Sequence, residues 1–251
     1  RGYIMAQSNQ PELRFDALSP GEMAAKAEAI GISKVTKPTA QLLVLAVLAG
    51  AFIGFGGIFY TTVLAGTGTL PYGIQRLLGG AVFCLGLILV IVGGAELFTG
   101  NNLIVMAWAS RKVTTSQLLR NWGLVYVGNF AGSLTTAGLM FLTGQYAFGG
   151  GAVGLAALSI GDSKCALAFV PAMALGVLCN VLVCLAVWLC YSARSTADKI
   201  LAILFPISAF VAVGFEHSIA NMYLIPVALL IKAGATDGFW TAIGKSASDF
   251  P

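Results

Sequence analysis

Long apolar runs at about residues 41–64, 77–108, 121–142, 166–191 and 200–231 alternate with short polar connections that hold most of the charge. Each is near or above the ~20 apolar residues an α-helix needs to cross a bilayer. The pattern therefore predicts an all-α, polytopic membrane protein with five spans. The second and fifth runs are overlong and polar at depth. One holds Gly94-Ala95-Glu96-Leu97-Phe98-Thr99-Gly100-Asn101-Asn102; the other holds Gly214-Phe215-Glu216-His217-Ser218-Ile219-Ala220-Asn221-Met222. A carboxylate or imidazole in hydrocarbon costs at least a few kcal/mol, so such groups face a bundle interior, a partner or a water-filled path. Both segments are expected to be breaks in their helices, because unwound backbone at that depth survives only where protein or a cavity satisfies it.

In both segments an acid is followed five positions later by asparagine, Glu96 by Asn101 and Glu216 by Asn221. Two broken segments in corresponding places indicate an internal inverted repeat, with the transport site near the breaks. With a three-span repeat unit, spans one to three pair with four to six. The sixth is absent before Pro251, so the sequence is expected to be a truncated one. Gly50/Gly54 and Gly128/Gly132 recur at helix-packing spacing and predict close backbone approach.

The first forty residues are polar, with no charged start followed by an apolar core, so no cleavable signal peptide is expected. Arg1-Gly2-Tyr3-Ile4, ahead of Met5, is set aside. Ser19-Pro20-Gly21-Glu22 reads as a capped helix start, with Ser19 as N-cap and Glu22 completing a capping box. Gly31 is expected to end that helix, whose stripe of Met23, Ala24, Ala27 and Ile30 would lie on the membrane face or against the bundle, unless the segment is a loosely ordered tail. The chain thus divides into an N-terminal cytoplasmic segment, 1–40, and a transmembrane channel domain, 41–251. Lys and Arg set the orientation. Arg14, Lys26, Lys34, Lys37, Arg111, Lys112, Arg120, Arg194 and Lys199 fall on one side, against Arg76, Lys164, Lys232 and Lys245 on the other. The N-terminus is expected inside, with Trp108, Trp122, Trp188 and Tyr191 as an interfacial belt at the inner ends.

Composition agrees: 58% hydrophobic and 10% charged residues with a mean hydropathy of +0.88 place the chain in the membrane class. A scattered net charge of +4 gives no nucleic-acid footprint. Cys84, Cys165, Cys179, Cys184 and Cys190 are odd in number, lack Cys-x-x-Cys spacing and read as small core residues. One histidine excludes a histidine-rich metal site, and no cofactor is expected.

The quoted break segments, together with Asn180-Val181-Leu182-Val183-Cys184-Leu185-Ala186-Val187-Trp188 and Gly128-Asn129, resemble the formate-nitrite transporter family, and within it the formate channels, over residues 15–245. The resemblance implies an aquaporin-like helical bundle in the bacterial cytoplasmic (inner) membrane, a homopentamer with one pore per protomer, and passage of formate or a similar small anion. By motif position, Phe83, Leu87, Leu97 and Phe210 would form apolar constrictions. Thr99 and His217 would contact the solute between them, Asn180 and Lys164 would line the outer vestibule, and the N-terminal helix would influence the inner gate. The departure from the family is the absent sixth span, which there carries a second Gly-Asn pair matching Gly128-Asn129.

Residue by residue, plainer readings stand beside these. Phe83, Leu87, Leu97 and Phe210 are ordinary membrane-core residues. Thr99 serves either its own helix backbone or a solute. Asn180 reads first as a helix–helix hydrogen bond, and Lys164 as a loop charge. Glu96 and Glu216 would repel an anion, so a structural role is favoured, each accepting backbone N–H groups freed by its break and supported by Asn101 and Asn221. His217 is the only side chain whose unperturbed pKa lies near working pH, which favours a direct transport role. Nitrite or hydrosulfide passage remains the alternative within the family. An aquaporin-type channel would need Asn-Pro-Ala caps, which neither break has. An intramembrane enzyme using Glu216 and His217 would lack a nucleophile or second metal ligand, so the chain is expected not to be an enzyme.

Overall fold

The computed structural model describes residues 17–250; Arg1–Ile4, Arg14 and the final proline lie outside them. Among the described residues the secondary structure is entirely helical. An N-terminal helix, α1 (Pro20–Val35), begins at the expected Ser19/Glu22 capping box but does not stop at Gly31. That glycine is buried inside α1, where a Cβ would lie 3.0 Å from Ala107 Cβ, so it serves close packing and does not end the helix.

Among the described residues five helices are long and apolar enough to cross a membrane: α2 (Thr39–Leu64), α3 (Tyr72–Gly93), α6 (Thr115–Leu142), α8 (Phe169–Ser192) and α9 (Thr196–Val213). Their starts follow local chemistry. Pro38 and Pro71 precede α2 and α3. Thr114 with Gln117 and Ser195 with Asp198 form capping boxes at α6 and α9. The overlong second run is α3 followed by α4 (Phe98–Asn101), a 3-10 turn at Asn102–Ile104 and α5 (Val105–Ala109). The fifth is α9 followed by α10 (Ser218–Gly234), and α11 (Asp237–Ile243) then turns away from α10 by 106°.

Two helices were not predicted, α7 (Ala152–Cys165) and the short α11. α7 lies where the hydrophobic pattern gives only a connection. Its 14 residues are too few to span, so a search for long runs passes over it. Its small residues bring it onto α10, where a Cβ on Gly161 would lie 2.5 Å from Ala228 Cβ.

The glycine pairs of α2 and α6 meet as expected. A Cβ on Gly50 would lie 2.0 Å from the Asn129 carbonyl oxygen, and one on Gly132 would lie 1.9 Å from that of Val47. Between them Asn129, fully buried, donates from Nδ2 to the carbonyls of Ala46 (2.7 Å) and Glu96 (2.9 Å), while its Oδ1 accepts from Phe98 N–H (2.9 Å). One side chain thereby joins α2, α6 and both lips of the first break.

α1 lies across the ends of α5, α6 and α8. Lys26 Nζ donates to the Tyr191 carbonyl (2.6 Å), and Glu28 takes Lys112 and Ser110, which hold its carboxyl below the usual range. Trp108, Trp122, Trp188 and Tyr191 gather at this end too: Trp122 Nε1 bonds the Asn101 carbonyl, and Trp188 meets Tyr191 edge-on. Of the cysteines, Cys165 alone is exposed, a departure from the expected core position; all five are unpaired.

Candidate functional site

The two breaks share one local plan. Gly94 and Gly214 end α3 and α9 in the left-handed region, at φ +76° and +88°, where a side chain would strain the backbone. Ala95 N–H then returns to the Val90 carbonyl and Phe215 N–H to that of Phe210, both at 2.9 Å. Glu96 N–H reaches the Leu45 carbonyl in α2 (3.1 Å); Glu216 N–H reaches that of Leu175 in α8 (3.4 Å). Leu97 and His217 are extended, and helix resumes at Phe98 and Ser218. The repeat read from two Glu-to-Asn spacings is thus present in the backbone itself.

The carboxylates take side-chain donors and not the backbone N–H groups expected of them. Asn101 Nδ2 donates to Glu96 Oε2 and Asn221 Nδ2 to Glu216 Oε2, each at 2.8 Å. The remaining donors are lysines from distant segments. Lys34 and Lys37 reach Glu96 at 2.7 and 3.2 Å, and Lys164 straddles Glu216 at 2.9 and 3.0 Å. The N–H groups of Ala95, Glu96, Phe215 and Glu216 reach backbone carbonyls, that of Phe98 reaches Asn129 Oδ1 and that of Ala220 reaches His217 Nδ1, so the carboxylate oxygens are left for charged partners. Asn101 also donates to Asn121 and accepts from Lys34, whereas Asn221 Oδ1 has no partner among the described residues.

Each acid with its lysines sits in the wall of a cavity. The α1-side cavity, about 360 Å³, is lined by Glu96 with Lys26, Lys34, Lys37 and Lys199, and floored by Leu87 and Leu97. The α7-side cavity, about 350 Å³, contains Arg76, Lys164 and Glu216, and is floored by Phe83, Phe210 and His217. Cations outnumber acids in both, and neither carboxylate is bare toward an anion. Between the cavities the chain is packed: Phe83, Phe210, Leu87, Leu97 and His217 are buried, and Thr99 is fully so. The Phe83 and Phe210 rings meet edge-on with centroids 5.7 Å apart.

Thr99 and His217 meet in that packed zone, Oγ1 to Nε2 at 3.3 Å, although 118 positions separate them in sequence. His217 is also the N-cap of α10. Its Nδ1 accepts the Ala220 N–H at 3.0 Å, which leaves the neutral ring's proton on Nε2, the atom facing Thr99. Nε2–H and the Thr99 hydroxyl are adjacent polar groups in an otherwise apolar neck, able to donate to a small oxyanion.

The remaining candidates divide. Lys164 belongs to this site, through Glu216. Asn180 lines neither cavity; its Oδ1 accepts from Asn102 Nδ2 (2.9 Å) and its Nδ2 donates to the Gly176 carbonyl (2.9 Å), the helix–helix role. The structure therefore does not bring Asn180 and Lys164 together. In the sequence Lys34, Lys37 and Arg76 are legible only as orientation charges, and Asn121 carries no signal at all. Only the demand of a buried carboxylate for a counter-charge hinted at the lysines, and that demand does not say which segment supplies them.

Comparison with known proteins agrees with this geometry. The family model described as formate/nitrite transporter matches residues 21–246. The chain is 47% identical over 236 residues to the formate channel FocA of Escherichia coli (strain K12), covering 94% of this chain and 83% of that protein. It is 39% identical over 240 residues to FocA of Haemophilus influenzae, covering 96% and 84%. Among solved structures, a pentameric formate channel with formate bound superposes with a TM-score of 0.82 at 45% identity, over 84% of this chain and 83% of that one. An ion channel described as of the FNT family gives 0.74 at 28% identity, over 89% of each. A family match across most of the chain, together with two facing breaks in a multi-pass helical bundle, makes this protein a member of the formate/nitrite transporter family.

Proposed function

We propose that each protomer passes formate between the two cavities, by way of Thr99 and His217. The observation that carries this reading is the Thr99–His217 contact, the polar pair in the packed neck between two cation-rich vestibules. Lysine and arginine in the cavities raise the local concentration of small anions. The N-terminus of α10, positive by its aligned peptide dipoles, also begins at His217. Phe83 with Phe210 and Leu87 with Leu97 act as the two apolar constrictions.

Magnitudes select how the anion crosses them. Moving a bare carboxylate into an apolar medium costs up to tens of kcal/mol by idealised solvation. Protonating an acid of pKa ~4 at pH 7 costs about 4 kcal/mol, at 1.36 kcal/mol per unit. Passage as the neutral acid is the cheaper route, with Nε2–H and the Thr99 hydroxyl placed to hydrogen-bond the solute in the neck. Lys164 and Glu216 fix the second break, and Asn180 ties α8 to the turn after α4.

We further assign residues 41–251 to the channel domain and 1–40 to a cytoplasmic segment. The protein then lies in the bacterial cytoplasmic membrane with its N-terminus inside, as a homopentamer surrounded by lipid. In this reading the chain is a passive or proton-linked conduit and performs no catalysis. Proteoliposome flux of formate, nitrite, hydrosulfide and glycerol tests the assignment. Formate is expected to pass well above protein-free vesicles and ahead of glycerol; formate flux at the vesicle background, or glycerol faster than formate, overturns it.

A further inference from the structure

Arg76, on the first turns of α3, lines the α7-side cavity. Its guanidinium is engaged by backbone. Any helix ends with carbonyls that its own N–H groups cannot reach. At the end of α9 the Phe215 N–H takes the Phe210 carbonyl (2.9 Å), and the Gly214 N–H is shared between the carbonyls of Phe210 (3.2 Å) and Val211 (3.1 Å). Arg76 completes the set: Nη2 is a second donor to the Val211 carbonyl, and Nε donates to that of Ala212 (3.0 Å). The third nitrogen, Nη1, donates to the Tyr60 hydroxyl of α2 (3.3 Å). Gly214 makes room for this fork, since a Cβ there would lie 3.2 Å from Nη2.

The two anchor points lead into the neck. Tyr60 meets Phe83 edge-on at 6.2 Å, Phe83 meets Phe210 edge-on at 5.7 Å, and Phe210 stacks on His217 at 5.7 Å and 26°. Phe210 lies in the turn whose carbonyls the fork holds. A shift of that turn therefore moves Phe210 against both Phe83 and His217. Among the described residues the first break shows no counterpart: the residue as far ahead of Gly214 as Arg76 is ahead of Gly94 is Thr196, whose side chain is too short to form such a fork.

We infer that Arg76 is a positioning residue for the α7-side constriction, binding the end of α9 to Tyr60 so that the Phe83–Phe210 aperture stays narrow enough to favour formate over larger carboxylates. The inference rests on the proposed passage of formate. Lysine keeps the charge but offers one compact ammonium in place of a planar fork, and cannot hold two successive carbonyls and a hydroxyl in that geometry.

The test compares native protein, Arg76→Lys, Phe210→Ala and the double variant in liposomes, each first checked for native-like oligomer size, and reads the acetate-to-formate flux ratio. Arg76→Lys is expected to raise the ratio by about tenfold, equivalent to ~1.4 kcal/mol between the two barriers. Phe210→Ala is also expected to raise it, and Arg76→Lys should then add nothing, since its action runs through that ring. A native ratio in Arg76→Lys, or an undiminished effect in the Phe210→Ala background, overturns the inference. If Arg76→Lys does not assemble, Tyr60→Phe decides: removal of the third bond should raise the ratio severalfold, and a native ratio counts against the fork. Native protein that passes no formate removes the proposed function itself; native formate flux with a flat variant series removes only the role of Arg76.

Discussion

Replacing Asn129 by alanine removes the one side chain that joins α2, α6 and the first break. Three bonds are lost, two of them buried, to the Ala46 and Glu96 carbonyls, and one part-buried, from Phe98 N–H. Within a membrane such bonds have averaged ~0.6 kcal/mol and reached ~1.7 kcal/mol, so three of them put the loss at about 2–5 kcal/mol. The loss should fall on the break, because two of the three partners are its own backbone groups and no water is at hand to replace the amide. Asn129→Asp sharpens the test. It keeps the shape and the Oδ1 acceptor but replaces both donors with an oxygen facing two carbonyls, so it should be no more stable than the alanine variant. The assay is equilibrium unfolding of the detergent-solubilised protein, followed by helical circular dichroism. An Asn129→Ala midpoint equal to native, or an aspartate variant clearly more stable than alanine, would refute the claim that these bonds hold the break.

Gly132→Ala is expected to lower the thermal midpoint, because its Cβ would lie 1.9 Å from the Val47 carbonyl oxygen and force α2 from α6, an overpacking cost of about 1–3 kcal/mol. Gly138→Ala on the same helix meets nothing within 4 Å and should be neutral or stabilising; equal loss in both would rule out the contact as the cause. Glu96→Gln and Glu216→Gln should retain much of the formate flux while Glu96→Ala and Glu216→Ala assemble poorly, Glu96→Ala more so because it strands Lys34 and Lys37. Gel filtration and flux check this, and fully active alanine variants would contradict it. For His217→Asn, formate flux corrected for the protonated fraction of substrate should respond less to pH than in native protein; superimposable profiles over the histidine range would leave His217 only a fixed hydrogen bond or packing.

Much of the architecture was written into the hydrophobic pattern. Runs of ~20 apolar residues have one stable arrangement in lipid, the α-helix, so α2, α3, α6, α8 and α9 were legible. The breaks were legible as well, because glycine followed by an acid at membrane depth is too costly to be incidental. The glycine spacing of α2 and α6 foretold close backbone approach, though not which helix each would meet. What lay beyond the pattern was everything that depends on which distant group arrives. α7 was passed over because a helix too short to span leaves no long run. Gly31 reads as a stop in sequence but is a packing surface once α5 lies against it.

The demand of Glu96 and Glu216 for partners was plain from their depth, but lysines answered it from α1, the segment after it and the end of α7, segments whose approach only the closed bundle fixes. Asn180 went to Asn102 for the same reason: an amide takes the nearest partner in space. Thr99 and His217 were each suspect alone; their 3.3 Å meeting is a property of the fold. Likewise Arg76 is one more loop charge until α9 ends beside it. Sequence by itself determined the spans, the breaks and the need for counter-charges, since these follow from local transfer free energies. Tertiary structure decided the partners, because hydrogen bonds and ion pairs act over a few ångströms and sequence separation carries no information about that distance.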